Sequence, residues 1–227
     1  MAILRRGATV SVVLLAVLVL GGCSLESVFQ SALQGAFDAM WSNAALKKEL
    51  EQESEKKLKK SLNDWLTGMV VYESWFGDAY IHHVKWVDVN LGQNAPQIQV
   101  DSAAFSETAS HYVLNLSWKA AWNPGTKGKV RFELDIRAWH GFPDHTITVH
   151  AIEAEALGNT LVGIPKSLSG TGFVSVLVAE SKVDLKAKAA GWFWTIDQSK
   201  KVKSMINDSL VKYVVGQSFQ KVFGPIL

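Results

Sequence analysis

From Leu25 to Met69 apolar residues return every three or four positions; from Tyr80 to Ala189 they return mainly at every second position; from Gln198 to Phe223 the helical spacing comes back. This double change of period constrains the fold more than any other feature of the chain. A period near 3.6 makes a one-sided helix and a period of two makes a half-buried strand, so the order reads helices, about seven strands, then a closing helix. Helices segregated at the two ends of an antiparallel run predict an α+β domain.

The first stripe, Leu25, Val28, Phe29, Ala32, Leu33, Ala36, Phe37, Met40 and Trp41, meets a break at Ser42-Asn43. Leu46 to Lys60 then reads as a charged helix whose Glu and Lys residues form a solvated face with i,i+4 pairing. Contact of its lysines with anionic headgroups is the functional alternative. The helical pattern resumes at Leu62, Trp65, Leu66 and Met69 and stops near Gly77.

Strands are expected at Tyr80–Leu91, Ile98–Phe105, Tyr112–Trp118, Val130–Ala138 and His145–Leu157, with Phe173–Ala179 and Val183–Ala189 as the last pair. The turns between them carry the Gly, Asn and Pro residues that turns need, as in Asn94-Ala95-Pro96 and Asn123-Pro124-Gly125. Val130, Phe132, Leu134 and Ile136 alternate cleanly with Arg131, Glu133, Asp135 and Arg137. Between Val149 and Ile152 the apolar set moves from odd to even positions, which predicts a bulge. Gly158 and Pro165–Gly172 read as loop, and Gly224-Pro225 stops the final helix.

The N-terminus carries a separate message. Arg5 and Arg6 precede an apolar run from Val10 to Leu20, and Gly21-Gly22-Cys23-Ser24 follows, the layout of a secretory signal. The small residues before Cys23 resemble the lipobox of bacterial lipoproteins. That resemblance implies export through residues 1–22, a diacylglycerol on the Cys23 thiol and an N-terminal Cys after cleavage. Ser24 in second mature position resembles lipoproteins of the outer membrane, which implies a site in the bacterial cell envelope facing the periplasm. The alternative is a signal-anchored membrane protein, although the strongly apolar part is shorter than the roughly 20 residues of an ordinary span. Cys23 is the sole cysteine, which leaves no internal disulfide, thiolate cluster or Cys nucleophile.

Charge and motif content narrow the chemistry. Without residues 1–22 the chain loses two of its 23 basic residues and none of its 21 acidic ones, so the remainder is formally neutral and nucleic acid is not an expected partner. Gly-x-Ser-x-Gly, P-loop and Rossmann fingerprints are absent, so an enzyme is not expected and no cofactor is implied. Six histidines invite a metal hypothesis, but no pair has helical i,i+4 spacing, and the adjacent His82 and His83 should diverge to opposite faces of a strand. No metal is expected on that reasoning. Trp192, Phe193 and Trp194 cannot all point inward from one strand; they are candidate membrane-contact residues, with packing against the terminal helix as the alternative.

Residues 61–225 resemble the synaptotagmin-like mitochondrial lipid-binding protein (SMP) domain of the TULIP superfamily. The strings that carry the resemblance are Ser61-Leu62-Asn63-Asp64-Trp65-Leu66, Asn90-Leu91-Gly92-Gln93-Asn94-Ala95-Pro96-Gln97-Ile98, Tyr112 to Trp118, and Phe173 to Val178 with Lys182-Val183-Asp184-Leu185. The resemblance implies a strongly coiled antiparallel sheet wrapped around helices (TULIP/SMP-like), following a lipid-anchored helical arm at residues 23–60, with the lipid-binding domain at 61–227. It also implies an apolar trough that holds the acyl chains of a phospholipid or similar amphiphile, and possible transfer of that lipid. Candidate lining residues are Tyr112, Leu114, Leu116, Trp118, Val130, Phe132, Leu134, Ile136, Ile147 and Val149, each of which could equally be core beneath a helix. The competing expectation is a structural or assembly lipoprotein whose N-terminal helical arm binds a protein partner; a homodimer or an envelope protein are the protein contacts considered.

Overall fold

A computed structural model describes residues 25–123, 125, 127–139, 141, 144–167, 169–188 and 196–223. Two helices open the described chain, α1 (Leu25–Ser42) and α2 (Ala44–Leu66). Asn43 separates them: its side-chain oxygen accepts from the Ala45 and Leu46 N–H groups, a cap that starts α2. The helix ends at Leu66 and not near Gly77, because Gly68 takes a left-handed φ of 83° and turns the chain back on itself. Residues 70–72, expected to be helical, form a short strand.

Seven strands follow: β1 (Val70–Tyr72), β2 (Ala79–Asn90), β3 (Gln97–Glu107), β4 (His111–Trp122), β5 (Lys129–Arg137), β6 (His145–Pro165) and β7 (Phe173–Lys188). All pair antiparallel in one sheet. The 21 residues of β6 are its spine. One edge of β6 pairs β7; the other pairs β5 near the start of β6 and β4 towards its end, so β4 and β5 lie end to end. Pairing of β2 with β5 and of β3 with β4 extends both stretches. The result is one long curled sheet with a β2/β5 half and a β3/β4 half. Helices α3 (Ile196–Ile206) and α4 (Tyr213–Phe223), joined by a π-helical segment at Asn207–Lys212, close the chain.

This is the α+β architecture that the period changes implied, with the sheet curled around helices and a helical segment leading into it. That leading segment lies against the sheet: Phe29, Leu33, Phe37, Met40 and Trp41 of α1 belong to the same buried core as the strands. Phe37 meets Phe219 of α4 edge-on at 5.0 Å, and Phe219 stacks on Trp118 of β4 at 4.2 Å. The boundary expected between residues 60 and 61 falls within α2.

Bulges set which side chains face in. The odd-to-even switch in β6 coincides with a register shift between His150 and Ile152. Gly158, expected to be loop, lies within β6: a Cβ there would stand 2.1 Å from the Leu177 carbonyl oxygen and 2.7 Å from the Trp118 ring. The two late strands expected at 173–179 and 183–189 are one strand, β7, with a register shift opposite Leu157/Gly158. In β2 the register shifts between Ile81 and His83 and again between Val84 and Trp86. Ile81, Val84 and Val87 are buried, and the pairs between them, His82-His83 and Lys85-Trp86, all lie more open to solvent. His82 and His83 therefore share the outer face. The expectation that they diverge is corrected by this bulge.

Candidate functional site

Of the ten candidate lining residues, nine are sealed beneath helices. Leu114, Leu116, Trp118, Val130, Phe132, Leu134, Ile136, Ile147 and Val149 are at most 5% exposed and join one cluster with residues of α1, α2 and α4. They lie on the inner face as their alternation required, and there they pack against protein. Tyr112 shares their parity on β4 but stands at the far end of the strand, 52% exposed.

Around Tyr112 the inner face stays open. Phe105 pairs with Leu114 across β3 and β4, so it faces inward too, and it is 37% exposed. Ile164 of β6 and Val174, Val176 and Val178 of β7 are half-buried against the rim of the core. The ring of Phe29, near the start of α1, lies 6.0 Å from that of Phe105, so α1 begins beside this mouth. Lys166 stands at the rim, 2.9 Å from Glu107 and 5.2 Å above the Tyr112 ring. Leu161, Phe173 and Leu177 are exposed on the outer face of the same end. The mouth thus offers an apolar floor with the Lys166–Glu107 ion pair at its lip.

Phe29, Phe105, Ile164, Val174 and Val176 were not among the candidate lining residues. Phe105 follows a bulge at Asp101 that reverses the parity of β3, and β7 alternates valine with small or apolar residues, so periodicity marked neither.

Two solvent-open clefts lie side by side nearer the middle of the sheet. One, of about 620 Å³, is lined by Gln30, Gln99, Lys119, Leu157 and Glu180 among others. The second, of about 860 Å³, is lined by Asn94, Trp122, Glu153, Asp184 and Lys203 among others. Neither is lined by any of the ten expected residues, and both mix charges of the two signs.

The opposite end of the molecule carries a second apolar feature. Trp75 and Trp139 are 87% and 82% exposed, and Tyr72, Phe76 and Tyr80 are exposed nearby in sequence or register. The Trp75 and Phe76 rings lie 3.7 Å apart, and Gly77 approaches Trp139. The turn Ser74-Trp75-Phe76-Gly77 was read as a helix end, which hid these aromatics. Trp192, Phe193 and Trp194, the aromatics expected to meet a membrane, lie outside the described residues, as do Cys23 and the signal segment.

Electrostatics on the outer face are paired, as the alternation of acid and base on β5 implied. Arg131 grips one Asp88 oxygen through Nε and Nη2 at 2.9 and 2.6 Å, and Lys85 meets Glu133 at 3.2 Å and also Asp144. The hydrogen bond to Asp144, then that to Glu133, holds the Lys85 ammonium above its ordinary pKa. Partial burial raises the Tyr213 phenol, which lies under Lys57 at 4.4 Å.

The charged run of α2 does something the solvated-face reading missed. Lys47, Glu51, Glu55, Lys59 and Asn63 recur every four residues and meet the backbone along β2. Asn63 accepts from the Val84 N–H at 2.7 Å, Glu55 from Val89 at 3.1 Å and Glu51 from Leu91 at 3.0 Å. Lys59 donates to the Lys85 carbonyl at 2.6 Å, and Lys47 donates to that of Gly92. These side chains occupy backbone groups that a strand edge would otherwise present to another chain. On α1, Gln34 does the same where the chain enters β3, donating to the Pro96 carbonyl at 3.2 Å and accepting from the Ile98 N–H at 2.8 Å.

No family model and no curated protein matches this chain. Among solved structures it is similar to the crystal structure of lipopolysaccharide binding protein, with 14% identity, a TM-score of 0.33 and coverage of 82% of this chain. The chain spans 40% of that protein's length.

Proposed function

We propose that this chain binds the acyl portion of a phospholipid or similar amphiphile at the open end of its β3/β4 half, while tethered to a membrane through Cys23. One observation carries the reading: the inner apolar face is sealed over most of the sheet and uncovered around Phe105, Tyr112, Ile164 and Val176. Burying each acyl CH₂ is worth about 0.8 kcal/mol, so ten methylenes seated there supply roughly 8 kcal/mol before ordering costs. Lys166 at the lip is paired with Glu107 at 2.9 Å and would exchange that carboxylate for the phosphate of a headgroup, and the SMP-like order of strands fits the same ligand class. Because α1 starts beside the mouth, an acylated Cys23 two residues before it would hold the mouth close to a bilayer. In this reading the chain is a binding and transfer protein of the bacterial envelope, not an enzyme.

The alternative of a scaffold that grips a partner through its N-terminal helix has less support. Leu33, Phe37 and Met40, the apolar stripe such a partner would need, are buried in the chain's own core.

The test uses the Cys23→Ser chain prepared without detergent, with bound lipid extracted and weighed by mass spectrometry. About one amphiphile per chain is expected, and Val176→Asp should cut that occupancy by an order of magnitude or so without unfolding the protein. Absence of lipid, or full occupancy in the Val176→Asp variant, would remove the mouth from consideration.

A further inference from the structure

We infer that the bulge in β2 builds a binding site for a divalent transition-metal ion from His82, His83 and Asp135. In a regular strand two adjacent residues point to opposite faces, and a vicinal histidine pair cannot share an ion through one face. Here the register slips between Ile81 and His83, with Ile81 and Val84 both buried, and both imidazoles stand on the outer face. Asp135 is the direct cross-strand partner of His83 on β5. One ligand atom from each of the three residues falls in a group whose members all lie within 4.8 Å of one another.

The local geometry suits coordination. His83 Nδ1 and Asp135 Oδ2 are already 3.0 Å apart, a spacing at which one ion can contact both atoms. The rings of His82 and His83 are 5.0 Å apart at 83°, so they do not stack face to face. All three residues are half-buried, open enough for an ion to enter and for water to complete its shell. They sit on two paired strands, a firmer base than a loop. Two imidazoles and one carboxylate favour Zn²⁺ and its borderline neighbours over Ca²⁺ or Mg²⁺, which prefer oxygen ligands. Three protein ligands leave a position for water or an external donor.

One feature opposes the ion. The Arg137 Nε lies 3.6 Å from the same Asp135 oxygen and competes for its charge. The next cation along the face, Lys85, is engaged by Glu133 and Asp144. Arg137 therefore sets the affinity from outside the ligand set, which gives the proposal a signature that a nonspecific surface histidine would lack.

The experiment titrates the full Cys23→Ser chain, in mild detergent, with Co²⁺ followed by visible absorption, then displaces it with Zn²⁺ followed by calorimetry. One equivalent is expected to bind. His82→Ala, His83→Ala and Asp135→Asn should each weaken it by about tenfold or more. Arg137→Gln should tighten it, and His111→Ala, at the other end of the sheet, should leave it unchanged. Should a ligand variant fail to fold, Co²⁺ broadening of the His82 and His83 ring proton signals in the otherwise unaltered chain reads the same site. Absence of a saturable equivalent, or binding that ignores all three ligand substitutions, overturns the assignment.

Discussion

The β2/β5 half and the β3/β4 half of the sheet both turn an apolar face inward, yet only the first is sealed along its length. In the β2/β5 half Val84, Val89, Val130, Phe132, Leu134 and Ile147 are all buried, and α2 runs beside the β2 edge with a polar side chain on the backbone at every turn. In the β3/β4 half Gln34 of α1 clips the Pro96 and Ile98 backbone at the start of β3, and from Asp101 to Glu107 nearly every residue of β3 is exposed. A highly charged helix can close a sheet edge as completely as an apolar stripe closes a face. Where that ladder is missing, the inner face runs out of protein to meet and becomes available to something else.

The largest effect that can test this contrast comes from truncating one inner-face ring in each half. Phe132→Ala should cost about 3–5 kcal/mol, the transfer and cavity terms of a wholly buried aromatic. Tyr112→Ala, on the same face at the open end, should cost under about 1 kcal/mol in lipid-free protein. Urea unfolding of both variants measures the difference. Equal losses would mean that the open end is packed as tightly as the closed one.

Which parts of this were legible in the sequence follows from how local their causes are. The strand cores of β4 and β5 could be read directly, because Leu114 to Trp118 and Val130 to Ile136 alternate without interruption. The β6 bulge was legible for the same reason, since a change of parity is visible in the chain itself. The double bulge of β2 was not: the strand itself was expected at Tyr80–Leu91, but which of its residues face inward, and the meeting of His82, His83 and Asp135, depend on cross-strand register. The role of the α2 charges was hidden because its targets are backbone groups, which carry no sequence signature. Nor could periodicity separate Tyr112 from Leu114. Both occupy inner positions, and only the length of the covering helices decides which one reaches solvent.

A glycine offers the next largest effect. Gly158→Ala should destabilise by about 1–3 kcal/mol, since the added methyl meets the Leu177 carbonyl and the Trp118 ring, neither free to withdraw. Gly35→Ala on the exposed side of α1, where a Cβ would find open space, should instead stabilise by about 0.5–1 kcal/mol. Thermal melts of both would show opposite signs. A Gly158→Ala variant no less stable than the parent would indicate that Gly158 lies in the strand for some reason other than close approach.

The edge ladder is tested by Asn63→Ala, which leaves the Val84 N–H without its acceptor and should cost about 1–2 kcal/mol. Asn63→Asp retains an acceptor oxygen and should cost less. Removing several rungs together, as in Glu51→Ala with Glu55→Ala and Asn63→Ala, should also raise the tendency to self-associate through the freed β2 edge, measurable by light scattering. A triple variant that unfolds at lower denaturant yet stays monodisperse would keep the ladder's contribution to stability and discard its protective role.

The smallest effect concerns the outer face, where the two halves should behave alike. Arg131 and Asp88 pair across β5 and β2, and Lys119 and Asp101 pair at 3.0 Å across β4 and β3. Each is substantially open to water, where solvent and salt screen the attraction and ordering long side chains offsets much of it. A double-mutant cycle on either pair should give about 0.2–1 kcal/mol, with Arg131–Asp88 at the upper end because two guanidinium nitrogens share one oxygen. Adding salt should shrink both. If the Arg131–Asp88 coupling instead exceeded its counterpart by several-fold, the closed half would owe part of its integrity to its outer surface. The contrast between the halves would then no longer be a property of the inner face alone.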